Sequence, residues 1–151
     1  MRLAEALIAR ADLQNKVAQI KRRISRSAKV HEGDEPIENA TELLRQYDAL
    51  MAELEGLVVR INRTNAAAEL DGGVLADAIA KRDNLKARIN TYRELCEEVS
   101  VLREREYGSG DVKFVRHVDV AELRKQMDEL SKQYRELDTK MQGMNWTVNL
   151  L

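Results

Sequence analysis

A chain of 151 residues has the length of one domain and buries a working core without disulfide or metal staples. Its 34% charged residues, 4% aromatics and single proline argue against a sheet protein and fit a helical bundle or coiled coil. The net charge of -1 gives the molecule as a whole no electrostatic reason to seek nucleic acid or an anionic membrane, so any such contact is local.

The first predicted helix runs from about Arg2 to Ala28, with Leu3, Ala6, Leu13, Val17, Ile20 and Ile24 on one heptad seam. Arg10 is the single misfit on that seam. At 1.5 Å per residue the helix is about 40 Å long. Gly33, Asp34 and Pro36 then break the chain. Asn39 caps the second helix, and Glu42 completes a capping box. This helix carries Leu43, Tyr47, Leu50, Leu54, Leu57 and Ile61 on its seam, and Leu44, Met51 and Val58 as a second row. Two adjacent rows imply two neighbours, so the helix is expected to pack between partners. It ends near Ile61 to Asn65, and the turn at Asp71 to Gly73 reverses the chain.

The third helix spans roughly Val74 to Arg105, and a shift of 72 lays it on the first: Leu75 on Leu3, Ala78 on Ala6, Arg82 on Arg10, Leu85 on Leu13. The fourth, roughly Val120 to Gly143, falls on the second at a shift of 80, with Asp119 and Glu122 over Asn39 and Glu42. Heptads align with any heptads, so the arginines and caps carry the information. They indicate a duplicated helical hairpin with pseudo-repeats 1–68 and 73–147. The expected fold is therefore all-α, a single-domain antiparallel four-helix bundle built from two pseudo-repeated long hairpins. The competing fold is one long antiparallel coiled coil that dimerises to complete its core.

Between the third and fourth helices, Val112, Phe114 and Val118 lie on one face of a short extended segment near 112–118. Its natural partner is Lys29 to His31, or the same segment of another subunit. The tail is too apolar for water, so Trp146, Val148 and Leu150 are expected to dock on this bundle or on a neighbour.

A guanidinium at a core layer needs a carboxylate, an anion or open water beside it. Counting back from the turns sets Arg10 opposite Leu57 to Ile61, with Glu55 the nearest acid, and Arg82 opposite Leu137 to Met141, with Asp138 as counter-ion. One reading is a polar layer that fixes register and pairing. A second is a pair of arginines gripping a small anionic ligand, and a third is arginines that reach solvent past their stems. Asn62, Arg63 and Asn65, with Thr64, form a polar cluster near the start of the first helix, read as helix capping or as part of a ligand site. The five basic residues from Lys21 to Lys29 complement a helix C-terminus or contact phosphate.

His31 and His117 fall in connections that a bundle brings to one end, a thin basis for a metal site in the absence of paired His or Cys motifs. Neither a Glu-x-x-His pair, a Walker loop nor a GxSxG elbow is present, so no catalytic residue, cofactor or enzymatic activity is expected. The lone Cys96 sits on a seam as a buried structural thiol. Glu5 and Arg10 interrupt any signal-peptide core, and no apolar stretch approaches the roughly 20 residues of a membrane span, which leaves the cytoplasm as the simplest address.

Five stretches, Leu3 to Gln14, Glu32 to Pro36, Ile61 to Asn65, Lys113 to Leu123 and Tyr134 to Trp146, together resemble a small, largely uncharacterised bacterial family known under the name septicolysin. The resemblance covers nearly the whole chain. It implies a short helical protein and carries over no catalytic residues. The name suggests a cytolysin, yet neither an apolar helix nor an alternating hairpin long enough to cross a bilayer is present. The expected protein is a self-associating structural or interaction module, a homo-oligomer joined through the Phe114 segment and the C-terminal tail. The alternative is a binder of a small anionic ligand at Arg10 and Arg82, with a membrane-active cytolysin a distant third.

Overall fold

The computed structural model describes residues 1–105 and 115–151. Among them are four α-helices: α1 (Leu3–Ser27), α2 (Ala40–Ala67), α3 (Leu75–Arg105) and α4 (Val120–Thr147). Two short strands, β1 (Glu69–Leu70) and β2 (Gly73–Val74), form a hairpin between α2 and α3.

Each helix starts on chemistry written locally. Asn39 Oδ1 accepts from the amides of Thr41 at 2.9 Å and Glu42 at 3.2 Å. Asp119 Oδ1 accepts from Ala121 at 2.9 Å and Glu122 at 3.2 Å. These bonds satisfy donors that a first helical turn leaves without partners. At α1 and α3 the acid lies inside the helix and reaches back: Glu5 Oε2 accepts from Arg2 N at 2.6 Å, and Asp77 Oδ2 from Val74 N at 3.4 Å. The carboxylate of Glu42, expected to close a capping box on Asn39, instead meets Arg45 Nη1 at 3.3 Å.

The turn inside the β1–β2 hairpin uses Asp71 and Gly72, both at positive φ (51° and 83°). That pair of left-handed residues suits a two-residue hairpin whose twist matches its strands. An Asp-Gly step between two short runs is a hairpin signal, and reading it as a plain turn missed the strands.

The chain divides into two compact units, one of Met1–Glu69 with Gly143–Leu151, the other of Leu70–Gln142. In the first, α1 packs along α2. Its buried seam holds Leu3, Ala6, Leu13 and Ile20 from α1 and Leu43, Ile61 and Thr64 from α2. In the second, Leu85 and Ile89 of α3 and Leu130 of α4 form a core, with Tyr92, Met127, Tyr134 and Leu137 packed against it. Cys96 is buried as a free thiol.

Within the described residues of the chain, three expectations are met differently. The second row on α2 is not packed between partners: Leu44 and Met51 are 48% and 38% exposed. Helix α4 continues through Thr147, so Trp146 is helical and 58% exposed, and only the extended residues after it turn inward, with Leu150 buried. Val112 and Phe114 lie outside the described residues, while Val115 to Val118 are exposed and join no strand, and neither does Lys29 to His31.

Candidate functional site

The two seam arginines occupy corresponding positions in their helices and have different surroundings. In the Leu70–Gln142 unit, Arg82 Nη2 lies 2.8 Å from Asp83 Oδ1, and its Nη1 is 3.8 Å from Asp138 Oδ1 across to α4. Asp138 is the carboxylate that the register sets opposite Arg82. The guanidinium is thus held between two acids at the edge of the core.

In the Met1–Glu69 unit, Arg10 has no such partner. Among the described residues its Nε is buried without a hydrogen bond, and Glu55, the nearest acid by register, makes no ion pair with it. The reason is legible once the helices are aligned. The positions equivalent to Asp83 and Asp138 are Ala11 and Val58, neither of which carries charge. A buried donor left unpaired costs roughly 1–3 kcal/mol.

The polar cluster near the end of α2 also departs from its expected form. Helix α2 runs to Ala67, so Ile61 to Asn65 lies inside the helix. Asn62 and Arg63 point to solvent and Asn65 is half-buried. The buried member is Thr64, only 1% exposed. Its hydroxyl donates to Arg60 O at 2.9 Å and accepts from Leu151 N at 3.0 Å. Arg60 Nε donates to Leu151 O at 2.8 Å. At the other helix, Leu3 N donates to Val148 O and Leu150 N to Met1 O, both at 3.0 Å. Arg2 Nη1 adds bonds to Thr147 O at 2.6 Å and Asn149 Oδ1 at 3.0 Å. These bonds fasten the tail across the ends of α1 and α2. Thr64 belongs to the polar cluster read from sequence, but its bond to the tail, and the parts of Arg60 and Arg2, were not foreseen there. The available signal was a threonine on an apolar seam, facing a tail of alternating apolar residues.

Electrostatics at the surface are local. Arg23 Nε donates to Glu38 Oε2 at 3.0 Å, and its Nη2 bonds the other carboxylate oxygen. Hydrogen bonding from Arg23 holds the Glu38 carboxyl below its ordinary range. One of the five basic residues before the α1–α2 connection is therefore committed within the hairpin. Lys140 is raised above the usual lysine value chiefly by its 2.6 Å hydrogen bond to Asp71. His31 and His117 are both exposed, and no cluster of three or more His, Cys, Asp or Glu side chains suited to a metal ion occurs among the described residues.

Two open clefts border these features. One of about 440 Å³ is lined by Asp12, Lys16, Glu53 and Arg60 in the first unit. The other, about 580 Å³, is lined by Asp71, Lys81, Glu136 and Lys140 in the second. Both mix acids with bases, so neither presents a single sign of charge to a ligand.

Against known proteins, the model of a family of unknown function (DUF6847) matches residues 10–150. The crystal structure of a functionally unknown conserved protein from Corynebacterium diphtheriae is similar, with 38% identity, a TM-score of 0.92, and coverage of 100% of this chain and 99% of that one. No curated protein matches the chain. Among the described residues no helix is long and apolar enough to cross a membrane.

Proposed function

This chain belongs to that family of unknown function, and for this member we propose a self-associating structural or interaction module. The observation that carries the reading is the row on α2. Leu44 and Met51 are large, apolar and exposed, with half-buried Val58 completing the heptad spacing. Seven residues advance a helix about 10 Å, so the row is a stripe of some 20 Å. A stripe of that kind beside an already buried seam is what a further helix covers. Exposed Trp146 and Val115 add apolar surface of the same character. The tail contributes less than its composition promised, because Leu150 is already buried within its own unit. In this reading the chain works in the cytoplasm and catalyses nothing.

The same proposal takes the chain as a duplicated helical hairpin. Supporting it, Glu5 and Asp77 reach back to the amide three residues earlier, 72 apart, and Asn39 and Asp119 make matching cap bonds, 80 apart. The buried pairs Leu3 and Leu75, Leu13 and Leu85, and Ile61 and Met141 follow the same shifts. Kinship with the septicolysin-named family rests on its five stretches, and a lytic mechanism draws no support from them.

Arg10 favours a second reading. Its unpaired Nε suits an anion, whereas Arg82 is already engaged, so a ligand site on the seam belongs to the Arg10 level alone. Native mass spectrometry of protein taken directly from its host distinguishes the two. Discrete multiples of the chain mass support self-association, and a monomer retaining a small anion supports the second.

A further inference from the structure

The α3–α4 hairpin holds a cleft of about 290 Å³ unlike the two of mixed charge. Lys86, Asn90 and Arg93 line it from α3, and Tyr134 and Arg135 from α4, over a floor of buried Ile89. Three cations converge on it and no carboxylate lines it. None of the three makes an ion pair among the described residues. Two of the acids one turn away along the helices are engaged elsewhere, while Glu97, one turn beyond Arg93, and Glu136, next to Arg135, lie outside the cleft lining. Asp138, one turn beyond Arg135, faces Arg82 at 3.8 Å, and Asp83, one turn before Lys86, is held by the same guanidinium at 2.8 Å. Arg93 Nη1 donates to Asn90 Oδ1 at 3.1 Å, which steadies that side of the cleft.

The spacing is what a helix needs to aim three side chains at one ligand, since residues 86, 90 and 93 share a face. Lys86 and Arg93 then sit about 10 Å apart along α3. Arg135 approaches from the other helix. Arginine presents a planar fork to oxyanions and lysine a point charge, a combination suited to phosphate or carboxylate groups. The apolar floor and the Tyr134 ring suit an organic body attached to such a group.

We propose that this cleft binds a compact organic polyanion, a phosphate ester or a polycarboxylate, through Lys86, Arg93 and Arg135. The Arg82–Asp138 pair is then a neighbour that removes competing negative charge, and the site is separate from Arg10. The inference does not depend on self-association.

Isothermal titration of the full chain with inorganic pyrophosphate and, separately, with citrate at matched ionic strength tests it. The two arms assign phosphate or carboxylate chemistry. The K86Q/R135Q double variant alters only exposed side chains and keeps the fold, which its circular dichroism melt verifies. Binding of either anion that weakens about tenfold or more in K86Q/R135Q, but not in K132Q, supports the site, in line with the loss of charge-assisted hydrogen bonds. Absence of binding by both anions, or equal weakening in K132Q, whose cation lies on α4 outside the cleft, overturns it.

Discussion

Arg10 and Arg82 stand at one seam position and predict opposite mutational signs. Replacing Arg10 by methionine removes a buried Nε that has no partner, keeps the aliphatic packing, and should raise stability by about 1–2 kcal/mol in denaturant unfolding. Replacing Arg82 by methionine leaves the Asp138 carboxylate unpaired and should lower stability, by about 1 kcal/mol or less because the pair is partly solvated. Equal signs for the two substitutions would contradict the account of their surroundings. The sequence marked both arginines as misfits because a cation on an apolar seam is visible in one dimension. It also set Asp138 opposite Arg82; what it did not show is that Glu55 fails to reach Arg10, whose facing helix carries a valine at 58 where the other hairpin has an aspartate at 138. Thr64 was read as part of a polar cluster, and its partner in the tail was missed for a related reason. A threonine on a seam reads as neutral until the chain returns to it from residue 151. Thr64→Val keeps the volume and deletes the bond to Leu151 N, and a loss of about 1–2 kcal/mol is expected.

Helix positions and caps were legible because they are local. Asn39 and Asp119 hydrogen-bond amides two and three residues on, and such bonds need no tertiary partner. Helix ends were less so: α2 and α4 run past Asn65 and Gly143, since packing of Thr64 and the apolar tail outweighs the weak stop that Asn and Gly provide. The α1–α2 connection is pinned by Arg23 and Glu38, a pair visible only once the hairpin closes. Because the Glu38 carboxyl is held below its unfolded value, its contribution is present at neutral pH and is lost as acid protonates it. Stability measured from pH 7 downward should therefore fall less steeply in Glu38→Gln than in the parent below the ordinary carboxylate range. Parallel curves would show that the pair contributes nothing measurable.

At the scale of the molecule, composition foretold helices, and the heptads foretold which faces pair. What covers the remaining apolar row was not legible, because Leu44, Met51 and Val58 announce a neighbour without saying whose it is. Both Leu44 and Met51 are exposed in the chain, and in the proposed self-association their neighbour is another copy. Burying a fully exposed Leu or Met side chain contributes roughly 1.5–3 kcal/mol, and the half-covered Leu44 and Met51 contribute a part of that when two such rows meet. The sharpest measurement is sedimentation equilibrium of the full chain beside the L44E/M51E variant, whose helix content is checked by circular dichroism. The account predicts a concentration-dependent oligomer for the parent and a folded monomer for the variant. A parent that stays monomeric up to millimolar concentration, or a variant that assembles as the parent does, would contradict it.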